Sequence, residues 1–84
     1  MEAKAKAFAE EAIRALGVGD ASSARTFISQ AAEADHRLGG FADCVYLACS
    51  EIDADGEVSV ATWDSLADAV DSPDLVAVVE GSRL

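Results

Sequence analysis

Basic residues are scarce in this sequence: six lysines and arginines stand against sixteen aspartates and glutamates in 84 residues, for a formal net charge of −10. A field of that sign repels phosphate backbones and anionic lipid, so nucleic acid and membrane surfaces are excluded as expected partners. Histidine occurs once, at His36, and cysteine twice, at Cys44 and Cys49. On a helix those two thiols stand about 140° apart around the axis and cannot pair within it. There is no Cys-x-x-Cys and no second cluster at metal-ligand spacing, so two free, buried thiols in a reducing, cytoplasmic setting are expected. His36 has no evident catalytic partner, the two thiols being the alternatives for a triad, and its place beside Arg37 at a helix end suits the negative end of the helix dipole. Long apolar runs are missing too. The opening MEAKAKAFAEEAIRAL carries neither a signal-peptide core nor a membrane span. Large side chains are few, because much of the 51% apolar share is alanine. A roomy ligand pocket is therefore not expected; neither is an enzyme, nor a cofactor.

What is present is unevenly placed. Residues 1–40 hold six acids and five bases, whereas residues 41–84 hold ten acids and Arg83 alone. A partner with a basic surface, or a cation, suits the second half better than any anion. The most apolar stretch, FADCVYLACSEI over 41–52, has nine apolar residues in twelve. Phe41, Cys44, Val45, Ala48 and Ile52 share one helical face, while Tyr46, Leu47 and Cys49 make the opposite face poor for water. A central helix covered on both faces is the expectation.

Before it, Ala5, Phe8, Ala9, Ala12, Ile13 and Leu16 recur at helical spacing up to Gly17 and Gly19, where glycine can take the left-handed conformation that ends a helix. Asp20 or Ser22 can cap a second helix carrying Ala24, Phe27, Ile28, Ala31 and Ala32 to about Asp35. The short link makes the two antiparallel. Leu38-Gly39-Gly40 reads as a break before the central helix. Asp53-Ala54-Asp55-Gly56-Glu57 reads as a polar loop. Ser59 or Thr62 can then cap a helix with Val60, Trp63, Leu66, Ala67 and Val70 inward. Ser72-Pro73-Asp74 opens a last short one. Val58–Val60 and Leu75–Val79 could alternatively be short strands. The expected fold class is all-α: one domain over 1–84 of four or five short helices, with an antiparallel hairpin packed on a central apolar helix. Its expected core is Phe8, Ile13, Leu16, Phe27, Ile28, Phe41, Val45, Ala48, Trp63, Leu66 and Val70.

Three local resemblances bear on function. Phe8, Ala12, Gly19-Asp20, Ala24, Ile28, Ala31 and Asp35 make residues 5–36 resemble a tetratricopeptide repeat, departing from it at Glu11, Ala15 and His36. The resemblance implies a helical hairpin of the kind that, stacked in several copies, binds peptides. Residues 51–63, EIDADGEVSVATW, resemble a degenerate EF-hand loop. Asp53, Asp55 and Gly56 hold ligand and turn positions and Glu57 adds a further carboxylate, but Glu51 opens the loop and Thr62 closes it where a bidentate glutamate is normal. The resemblance implies weak calcium binding at most, and the same segment serves equally as an ordinary helix-to-helix turn. Asp64-Ser65-Leu66 resembles the prosthetic-group site of acyl carrier proteins, with only nineteen residues after Ser65. The leading functional expectation is a small acidic protein-interaction module that binds a protein partner or itself. A divalent-cation binder and an acyl carrier are the alternatives.

Overall fold

Alanine at every third or fourth position lets the first two helices lie close. In this computed structural model, which describes residues 3–70 and 72–83, α1 (Ala3–Gly17) and α2 (Ala21–Ala34) pack against each other, and Ala5, Ala9, Ala12, Ile13, Ala24, Ile28 and Ala31 on them are fully buried. The link is three residues long. Gly19 takes φ +76°, and the Asp20 carboxylate accepts the Ser23 N–H at 3.0 Å, capping α2. Of the two candidate caps it is therefore Asp20, not Ser22, that serves.

A single 3-10 turn, His36–Leu38, leads into α3 (Gly39–Asp55), followed by α4 (Val60–Ala69) and α5 (Pro73–Ser82). The described residues contain no strand, and Leu75–Val79 is helix. Two link boundaries differ from expectation. Gly39 and Gly40 form the first turn of α3 instead of a break, because the chain redirects earlier, in the 3-10 turn that Asp35 caps. Asp53, Ala54 and Asp55 belong to the last turn of α3, and the helix stops only at Gly56, whose φ of +85° is costly for any residue with a Cβ.

The helices form a closed ring. α1 touches α2 and α5, α2 touches α3, α3 touches α4, and α4 touches α5, with α1 also reaching α3 across the middle. Successive helices alternate in direction, so α1, α3 and α5 run the same way. Gly17, at the end of α1, sits so close to Ser82, at the end of α5, that an added Cβ would lie 2.8 Å from the Ser82 carbonyl oxygen. Lys6 pairs with Asp74 at the other end of the same seam.

Phe41, Val45 and Ala48 of α3 are buried as expected, and so is Cys49, whose thiol donates to the Ala21 carbonyl at 3.6 Å. The expectation that α3 is covered on both faces does not hold. Tyr46 and Leu47 are 41% and 53% exposed, and Cys44 and Ile52 are only partly covered. α2 covers one flank and α4 the other, which leaves the outward side bare. Phe8 and Phe27 lie at the margin of the core, part-exposed, while Leu75 and Val79 of α5 supply fully buried core instead. Among the described residues no helix is long and apolar enough to cross a membrane.

Candidate functional site

Because the helices alternate, one end of the bundle collects the α1–α2 turn, the α3–α4 link and the end of α5. Between them lies an open groove of about 580 Å³, lined among others by Val18, Glu57, Val60, Trp63 and Arg83. The groove corrects the expectation that small side chains leave no room: its space comes from how turns meet at a bundle end, not from a hollow among core side chains. Val18 is 81% exposed and Val60 69%, the two most exposed large apolar residues described. Trp63 is buried to 7% and forms part of the wall. Uncovered aliphatic surface of this kind is unfavourable in water and favours a covering partner.

The electrostatics of this end are negative from several sources. Three helix C-termini, of α1, α3 and α5, point toward it, each with the partial negative charge of its dipole. The two N-termini at the same end, of α2 and α4, are met by carboxylates. Asp20 caps α2, and the Ser23 N–H it accepts holds its carboxyl below the ordinary range. Glu51 reaches across to α4: Oε1 accepts the Ser59 N–H at 2.9 Å, and Oε2 accepts the hydroxyls of Thr62 at 2.7 Å and Ser59 at 3.2 Å. The Ser59 hydroxyl oxygen in turn accepts the Thr62 N–H at 3.2 Å, so Ser59 is the cap of α4. The Ser59 N–H is the main reason the Glu51 carboxyl lies below its ordinary value, and the Thr62 hydroxyl adds to it. Arg83, the only basic residue in the groove wall among the described residues, is already engaged by Asp64 at 3.0 Å and Glu80 at 3.4 Å.

The residues singled out for metal binding are not drawn to one point. Glu51 and Thr62, which occupy the opening and closing positions of the EF-hand-like segment, hydrogen-bond directly to each other. Asp53 pairs with Arg25 of α2. Asp55 and Glu57 are exposed on either side of Gly56. Among the described residues no group of three or more histidine, cysteine or acidic side chains is placed to hold a metal. Ser65 is exposed on α4, and its hydroxyl donates to the Ala61 carbonyl at 3.1 Å. His36 lies exposed in the 3-10 turn at the opposite end of the bundle from Cys49, whose thiol burial pushes above its ordinary value. A high-pKa, enclosed thiol is a poor nucleophile.

The groove itself went unforeseen. Its signal was nonetheless present: Val18 stands inside a glycine-flanked turn, and Val58 and Val60 follow Gly56 closely, where polar residues are usual for a link. Comparison with protein families, with curated proteins and with solved structures returns no match for this chain.

Proposed function

We propose that this chain is a small acidic protein–protein interaction module, an adaptor or regulator with no catalysis of its own, whose groove end receives a partner with a basic surface. One observation carries the reading: the most exposed aliphatic side chains, Val18 and Val60, lie at the end of the bundle where three helix C-termini and the Asp55 and Glu57 carboxylates also collect. A partner segment with an aliphatic side chain flanked by lysine or arginine meets both features. The aliphatic group is covered by Val18, Val60 and Trp63, and its neighbours face Glu57 and Asp55. The resemblance of residues 5–36 to a tetratricopeptide repeat lends the reading only an analogy of shape, since such hairpins bind peptides when several are stacked.

The test compares the proteins recovered from native lysate by the wild-type chain and by a Val18→Glu/Val60→Glu double variant, with thermal unfolding as the control for folding. Both positions are exposed, so the melting temperature is expected to stay close to wild type. The wild type is expected to retain a basic partner that elutes with rising salt, and the variant to lose it. Equal recovery by both proteins, or recovery of nothing by either, overturns the proposal.

A further inference from the structure

We infer that Arg83 is a built-in competitor in the groove: its guanidinium occupies the place on Asp64 and Glu80 that a lysine or arginine of the partner would take, and so holds down the affinity of the site. This role rests on the function proposed for the groove and supplies its regulation.

Arg83 stands at the C-terminal cap of α5 and lies in the groove wall with Val18, Val60 and Trp63. α4 supplies Asp64, next in the chain to Trp63, and α5 supplies Glu80, so carboxylates from two helices meet one guanidinium. Of the four arginines in the sequence, Arg83 has the least exposed side chain, at 19%. Both carboxylates remain more than half exposed, so a second cation can reach them from solvent.

The way Arg83 is held makes it displaceable. Nη1 alone reaches both carboxylates, at 3.0 Å and 3.4 Å. Arg37, at the opposite end of the bundle, instead grips Asp35 through Nε and Nη2 together, at 3.0 Å and 2.9 Å. That paired, planar contact is what makes an arginine–carboxylate bond strong. A single-nitrogen contact to exposed carboxylates is worth little, and an incoming arginine free to make the paired contact offers Asp64 a better one. Charge acts in the same direction. Among the described residues Arg83 is the one positive side chain in the wall of an otherwise negative groove, and it repels a basic partner until it turns aside.

Trp63, the single tryptophan of the sequence, stands in the groove wall, so its fluorescence reports occupancy. The probe is a capped pentapeptide with one leucine between two arginines on either side, titrated into the full chain at low salt. Arg83→Gln and Arg83→Met, the second keeping an aliphatic stem, are each expected to tighten binding about two- to fivefold, the range set by an exposed ion pair. Arg83→Lys keeps the charge and should bind like wild type. Arg37→Gln changes the net charge by the same amount at the far end and should also bind like wild type. Adding Asp64→Asn to Arg83→Gln should remove the gain, because the arginine of the peptide then has no Asp64 carboxylate to take. Thermal unfolding accompanies each titration. An Arg83 that merely braces α5 against α4 would lower the melting temperature on Arg83→Gln and leave the peptide affinity unchanged or weaker. No gain in either charge-removing variant, or an equal gain in Arg37→Gln, overturns the competitor role; the groove reading survives that result when Val18→Glu/Val60→Glu has lost the peptide. Binding by that double variant as tight as wild type, or no binding by any protein, overturns the groove reading and the role of Arg83 with it.

Discussion

The two ends of the bundle are made from equally short links and finish differently. At the end away from the groove, the 3-10 turn buries Leu38 to 5% exposure and the link after α4 buries Val70 to 7%. There the Asp35 carboxylate accepts the Arg37 N–H at 3.0 Å and takes two further bonds from the Arg37 guanidinium at 3.0 and 2.9 Å. Leu38 and Val70 are thus covered, and Asp35 is matched locally by Arg37. At the groove end the polar groups are matched equally well, through Asp20 and Glu51, but Val18 and Val60 are left uncovered. Bareness at one end of a molecule that closes the other is a local property of two turns, not general looseness, and the proposed docking of a partner rests on it.

Substitutions can break or sharpen this contrast. The largest effect is expected at the closed end, for Leu75→Ala in α5. Leu75 is fully buried, and a leucine-sized cavity costs about 2–5 kcal/mol, comparable with the whole stability of many small domains. Urea unfolding should show that loss, and a shift below that of the next substitution would mean the closed end is not the better-packed one. Gly17→Ala, at the groove end, comes second. Its new methyl group meets the Ser82 carbonyl and must push the end of α5 off α1, at about 1–3 kcal/mol. Gly40→Ala makes the matched control at the closed end. With nothing near its Cβ position and a helical site, it should be neutral or slightly stabilising in the same assay.

Apart from that control, the smallest effect is expected from Glu51→Gln, and it depends on pH. The Glu51 carboxyl is held below its ordinary value by the Ser59 N–H and the Thr62 hydroxyl. Its stabilising contribution is therefore complete above the unfolded-state value, about pH 4.3, and is lost as pH falls through the lower folded-state value. Melting temperatures of the two proteins should differ at neutral pH and converge in acid below that point. A gap that persists or widens in acid would show that the carboxylate charge is not what ties α3 to α4.

Much of the architecture was legible because it is local. Alanine spacing, the Gly19-Asp20 turn, a cap at Ser59 or Thr62 and Ser72-Pro73 as a start each act within a few residues, and the all-α hairpin on a central helix follows from them. What escaped is set by neighbours distant in sequence. Periodicity showed that α3 is apolar all round, yet only the positions of α2 and α4 decide that Cys49 is enclosed while Tyr46 and Leu47 are not. The same holds for the charges. The second half looked unrelieved in its acidity, but Lys6 and Arg25 of the first half reach Asp74 and Asp53 across the fold. Asp53 was read as part of a loop because polar residues beside a glycine usually are; its pairing with Arg25 of α2 fits the extra helical turn instead.

The seam between α1 and α5 has a consequence for how the chain comes into being. During synthesis α1 meets α2 almost at once, but its other side faces a helix that does not exist until residues 73–82 have been added. Until then the flank of α1 that α5 covers stays open to water. Closure of the ring thus waits for residues 73–82, and any holding factor acting on the hairpin has until they emerge to do so.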